Sequence, residues 1–164
     1  MTAVYASPNE IIRRQAWGEI KSMAGNLNGE WLLVGDFNEI ACPTKKKGGG
    51  RTNRRECELF KSWISNCCLI DLGYIGSKYT WRGPQWIGLE RVYKRMDRAL
   101  SNGGWRIRFE GARVEVLPRT NSDHHPLLIT TEPPLPTNKN RPFRYEAMWK
   151  MHPNFDEVIK DHWS

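Results

Sequence analysis

The chain has 164 residues, room for one domain, and a net charge of +7 from 25 basic and 18 acidic residues. An apolar share of 39% with 8 Trp supports a core and excludes a chain disordered by composition. No apolar run approaches the ~20 residues of a membrane span, and the N-terminus lacks a signal-peptide pattern. The 4 cysteines, Cys42, Cys57, Cys67 and Cys68, show no C-x-x-C spacing, which argues against zinc and for the reduced thiols of an intracellular protein.

The first predicted element is a strand over Thr2–Ala6. Ser7 then reads as the N-cap of a helix, with Pro8 at its first position and Glu10 completing a capping box. Ile12, Ala16, Ile20 and Met23 form its predicted inner face, and Gly25 to Gly29 break it. Trp31–Gly35 reads as a strand that runs into a Gly-rich basic loop holding Lys45, Lys46, Lys47, Arg51, Arg54 and Arg55. Asn53 with Glu56 caps a second helix, whose Leu59, Phe60, Trp63, Ile64 and Cys67 make a stripe of period 3.6. Leu69–Asp71, Lys78–Trp81, Val92–Leu100, Arg113–Leu117 and Leu127–Thr131 read as strands, with a helical turn near Ser101–Phe109 that packs Trp105. Residues 133–142 are Pro-rich and read as a linker, and residues 153–163 as a helix with Phe155, Val158, Ile159 and Trp163 on one face. The sum is an α+β class without internal repeats.

Two motifs carry the chemistry. Trp31 to Val34 run apolar and deliver Gly35-Asp36-Phe37-Asn38 at the strand's end, while Ser122-Asp123-His124-His125-Pro126 open onto Leu127, Leu128 and Ile129. Apolar strands that end in polar residues place those residues on the rim of a sheet, where ligands bind. Asp, Asn, Asp and His converging there suit a hard divalent cation and a phosphate. Between them, Arg95-Met96-Asp97-Arg98 puts a carboxylate among basic residues, with Arg91 and Lys94 beside it. Basic clusters next to such a site suit a polyanionic substrate.

V-Y-A-S-P, G-D-F-N-E-I, D-L-G-Y-I-G-S-K-Y-T-W, R-M-D-R-A-L and S-D-H-H-P-L follow one another in this chain. In that order they resemble the endonuclease/exonuclease/phosphatase superfamily. The likeness is greatest to the apurinic-type endonuclease domain of LINE-type non-LTR retrotransposons, in the form common in plants. It runs from Val4 to Trp163. The resemblance implies part of a four-layer α/β-sandwich of the deoxyribonuclease kind. Members of the family carry an N-terminal half, with an Asn and a metal-ligand Glu, before the V-Y-A-S-P strand. Residues 1–132 are therefore expected to be the C-terminal part of such a domain. Residues 133–142 would be its linker and residues 143–164 the start of a connector toward a reverse transcriptase.

The implied reaction is hydrolysis of DNA phosphodiesters with Mg²⁺ or Mn²⁺ in the nucleus, leaving a 3′-hydroxyl. In it Asp36 orients the attacking water, and Asn38 either bonds the scissile phosphate or holds Asp36. Asp97 fixes the tautomer of His124, which stabilises the pentacovalent phosphate. Tyr5 offers its phenol to a phosphate oxygen, Asp123 joins Asp36 at the metal, and Thr80 and Ser122 are supporting donors. Arg95, Arg98, Lys45, Lys46 and Lys47 are expected on the substrate. Trp81 is read as core, His125 as structural or solvent-facing, and Asp71 as a turn residue. Two alternatives stand beside the endonuclease. One is a truncated, inactive remnant that still binds nucleic acid. The other is a phosphatase of the same superfamily, disfavoured by the D-L-G-Y-I-G-S-K-Y-T-W block and the positive charge.

Overall fold

The computed structural model describes residues 1–132. The linker, the connector and the terminal helix expected over 133–164 lie outside the described residues. The elements in order are β1 Thr2–Tyr5, α1 Glu10–Asn26, β2 Leu32–Asp36, a 3-10 turn at Pro43–Lys45, β3 Lys46–Lys47, α2 Arg54–Asn66, β4 Leu69–Asp71 and β5 Ile75–Gly76. They continue with β6 Trp81–Arg82, β7 Tyr93–Lys94, β8 Asp97–Asn102, α3 Gly103–Arg108, β9 Arg113–Val116 and β10 Leu127–Thr130. This is a mixed α+β fold with three sheets, ordered β1-β2-β8-β4, β10-β9-β5 and β3-β7-β6.

The first sheet is covered on both faces, which is why Leu32, Leu33 and Val34 run without a polar break. Leu33, Leu100 and Leu69 face Trp17 and Ile20 of α1 and Phe60 of α2. Trp17 stacks on Phe37 at 5.7 Å and on Trp63 at 5.6 Å, so aromatic rings join both helices to the sheet. On the other face, Leu32 and Ala99 meet Val114, Trp105, Leu127 and Ile129, which brings the second sheet against the first. Central strand β8 is buried over Asp97–Ser101. Among the described residues no helix is long and apolar enough to cross a membrane.

Three local expectations are corrected. Asn9, not Ser7, caps α1: its side-chain oxygen accepts from the Ile11 and Ile12 amides, while the Ser7 hydroxyl accepts from Asn9 N–H in a preceding turn. The helix starts later and its inner face turns to Arg13, Trp17 and Ile20, leaving Ile12 at 53% and Met23 at 39% exposure. A buried Arg on this face was not anticipated; it is paid for by Glu39, which it meets at 2.5 Å. Finally, the strands predicted over Lys78–Trp81 and Val92–Leu100 are broken into β6, β7 and β8, because Arg95 and Met96 carry the chain from the third sheet to the first.

Gly35 is where the fold is most exacting. It has φ 149°, and a Cβ there would run into the Val4 carbonyl on β1. Gly35→Ala is expected to unseat β1 from β2, at a cost of more than about 3 kcal/mol. Urea denaturation would read it as a lowered midpoint, and an unchanged midpoint would show that β1 is not held by close backbone approach.

Candidate active site

The rim of the first sheet gathers its functional groups by register. Tyr5 pairs with Asp36 across β1 and β2, and Asp36 pairs with Asp97 across β2 and β8. Directly opposite residues share a face. These three therefore form one row, on the face that looks toward the second sheet. His124 arrives from that sheet, in the loop before β10, and its Nδ1 lies 2.9 and 3.1 Å from the two Asp97 carboxylate oxygens. A carboxylate only accepts, so Nδ1 carries the proton and Nε2 is turned away from Asp97.

Asn38 sits with φ 49°, a left-handed conformation that Asn tolerates. Its amide N–H donates to Asp36 Oδ1 at 2.8 Å, and its side-chain nitrogen donates to Asp36 Oδ2 at 2.9 Å and to the Ala6 carbonyl at 2.7 Å. Of the roles expected for Asn38, the geometry is that of a clamp on Asp36. Burial pushes the Asp36 carboxyl up from its ordinary range, reinforced by Asp97 and Asp123 and opposed by the Asn38 amide and His124. Asp123 is held down chiefly by a 2.9 Å hydrogen bond from the Trp81 indole.

Thr80 is fully buried and its hydroxyl accepts from the Met96 and Asp97 amides, both at 3.0 Å. Its own N–H donates to the Lys94 carbonyl and its carbonyl accepts from His125 N–H. It was expected as a donor to substrate; it is an acceptor inside the protein. The Ser122 hydroxyl likewise accepts from His124 N–H at 3.1 Å and shapes the His124 turn. His125 Nδ1 bonds the Leu117 carbonyl at 2.6 Å. Trp81 packs against the Ile40, Cys57 and Met96 cluster.

The basic residues divide. Arg95 and Arg98, expected on the substrate, are each 1% exposed and point into the protein. Arg98 pairs with Asp71 at 2.5 Å, and Arg95 lies 3.6 Å from the same carboxylate and 3.9 Å over the Tyr74 ring. Alternation along β8 puts Arg98 on the face opposite Asp97, over Phe60. Asp71, read as a turn residue, is the anion that two buried guanidiniums share. Lys45 is drawn to Tyr74, with Nζ 3.1 Å from the phenol oxygen. Lys46 lines a cleft that begins at Asn38, and Lys47 is exposed. Tyr5, at 81% exposure, stands free at the row's end.

Among the described residues no group of three His, Cys, Asp or Glu side chains is gathered as a metal ion requires. Both oxygens of Asp36 are engaged by Asn38, and one of Asp123 by Trp81. The expected pair of Asp36 and Asp123 does not make a metal centre by itself.

No family model matches the chain, and no curated protein does. Solved structures do, among them the beta toxin 275-280 of Staphylococcus aureus, at 15% identity and a TM-score of 0.50. The likeness is one of fold. It covers 79% of this chain and 51% of the toxin structure, so the chain spans about half the length of the structure it matches.

Thr80→Val keeps the shape and removes the shared acceptor. It should cost about 1–3 kcal/mol for each amide left unpaired, with Thr80→Ser restoring most of it. Thermal melts of the two variants decide this; equal melting points would mean the hydroxyl does not hold the β8 entry.

Proposed function

We propose that the chain is a phosphodiester hydrolase acting on DNA, the endonuclease domain of a LINE-type retrotransposon, built on the four-layer sandwich of that superfamily. The observation that carries this reading is the Asp97–His124 pair standing in register with Asp36 at one sheet edge. A phosphodiester resists attack because its anionic oxygens repel a nucleophile. Asp97 presents His124 with Nε2 outward, so that a protonated ring can donate to a phosphate oxygen. Asp36, clamped by Asn38 and made more basic by burial, is placed to orient and deprotonate water. Tyr5 offers a phenol at the open end of the row.

Further support comes from the fold shared with the toxin and from the net charge of +7. Mg²⁺ or Mn²⁺ dependence, nuclear action and fusion to a reverse transcriptase are parts of the same proposal that rest on the resemblance. A second reading is an inactive remnant that keeps nucleic-acid binding. A phosphatase fits the shared motifs too, but its small substrates would not call for so basic a surface.

Nicking of supercoiled plasmid separates these readings. Weak nicking is expected, abolished by EDTA and lowered roughly 10²–10⁴-fold by His124→Ala or Asp36→Ala, while DNA binding persists in both variants. Nicking that survives both substitutions would remove the hydrolase reading. Its complete absence in the wild type, with binding intact, would leave the remnant.

A further inference from the structure

Beyond the catalytic row, the third sheet holds an arrangement that the interior of the protein does not explain. Lys46 of β3 stands directly opposite Lys94 of β7, and Lys94 directly opposite Trp81 of β6. Trp81 in turn bridges to His124. Lys46, Lys94, Trp81 and His124 thus form one cross-strand row. With strands about 4.8 Å apart, Lys94 lies roughly 10 Å and Lys46 roughly 14 Å along it from His124.

Like charges directly opposite in an antiparallel pair are destabilising. Among the described residues neither lysine has an ion-pair partner. Burial, and after it the Lys46 charge, holds the Lys94 ammonium below its usual range. Both lysines line a cleft of about 350 Å³ together with Asn38, Arg13, Arg51 and Glu39. Glu39 is already neutralised by Arg13, and Glu56, also on the cleft wall, accepts from the Asn53 amide. With Glu56 still an anion, Lys46, Lys94 and Arg51 leave a cationic excess around an open space that starts at the Asp36 clamp. The Lys46 ammonium is steadied by the Gly50 carbonyl at 2.6 Å, and the Lys94 ammonium lies 5.5 Å from the Trp81 ring centre.

We propose that Lys46 and Lys94 form a second phosphate subsite, which takes a backbone phosphate of a nucleic-acid strand beside the one held at the His124 row. An anion between the two ammonium groups turns their mutual repulsion into a shared attraction. The subsite selects a chain of phosphates over a lone phosphate ester. Its position relative to the scissile bond rests on the hydrolase reading above, but its occupancy does not.

The test therefore uses binding without turnover. In the His124→Ala background, fluorescence anisotropy of a labelled DNA oligonucleotide is followed over a range of NaCl, with and without Lys46→Gln and Lys94→Gln. The double substitution should weaken binding on the order of tenfold and reduce the slope of log K against log salt by about one to two. Without DNA the same substitutions should raise the melting temperature, because they remove a like-charge pair. Unchanged affinity and slope would overturn the proposal, as would a fall in melting temperature, which would make the lysines structural. Lysine-dependent binding to phosphatidylserine vesicles but not to the oligonucleotide would overturn the nucleic-acid occupant. Plasmid nicking keeps the two ideas apart: no nicking with lysine-dependent binding sinks the hydrolase and keeps the subsite, and His124-dependent nicking with lysine-independent binding does the reverse.

Discussion

Thr80 is the joint on which the candidate site depends. One buried residue accepts from the amides that open β8, donates to β7 and accepts from the loop that carries His124. Asp97 belongs to β8 and His124 to the loop before β10, yet both segments are fixed to the same residue. Their approach to 2.9 Å is therefore supported by the hydroxyl and backbone hydrogen bonds of Thr80 as well as by the pair's own contact. This matters because a catalytic pair works only if its geometry persists when charge moves.

Buried charge elsewhere serves to hold strands, and it has a cost. Two guanidiniums at 1% exposure share the single carboxylate of Asp71, and Arg95 Nη1 and Arg98 Nε have no partner among the described residues. Desolvation, with Arg98 next to it, pulls Arg95 down. Replacing such groups by apolar ones is often neutral or stabilising, whereas removing one partner is not. The arginines are thus poor evidence of stability and good evidence of a fixed geometry: they tie β8 and the residues before it to Asp71 at the end of β4 and to Gly73 and Tyr74 beyond it. That tie lies on the face of β8 opposite Asp97, so it supports the site from behind.

Much of this was legible in the sequence, for a definite reason. Trp31 to Asn38 changes from apolar to polar at the point where a strand leaves the core, and so places Asp36 at a rim whatever the rest of the fold. The stripe of α2 was largely readable: Phe60, Trp63, Ile64 and Cys67 repeat at helical spacing and meet the core, while Leu59, expected with them, is half-buried outside that cluster. The fate of Arg95 and Arg98 was not readable. Their closeness in sequence to Asp97 suggested a shared surface, but strand alternation sends Arg98 to the other face, and nothing local announces that Asp71, some 27 residues away, will receive it. The start of α1 failed on a competition between two good caps: Ser7 and Asn9 both can accept, and Asn9 reaches two amides. Glu39 escaped notice because its partner Arg13 lies on a helix face that the sequence pattern assigned to apolar residues.

Three unfavourable features lie at or beside the cleft that begins at Asn38, while the positive φ of Cys68 and of Asn121 lies outside its lining. Asn38 takes a positive φ, Asp36 keeps a carboxyl that burial penalises, and Lys46 faces Lys94. Each is a local cost that a chain selected for stability alone would shed by an ordinary substitution. Local costs that gather around one cleft, while the core beneath is densely packed with aromatic rings, are the usual mark of a surface kept for a ligand. For the subsite proposed above, the sign of the ligand is that opposite to the lysines. The carboxylates at the rim are already answered by Asn38, Trp81 and His124, whereas among the described residues Lys46 and Lys94 have no carboxylate partner. An anion reaching from the His124 ring into the cleft would meet Lys46 and Lys94 together, which is what the proposed subsite requires.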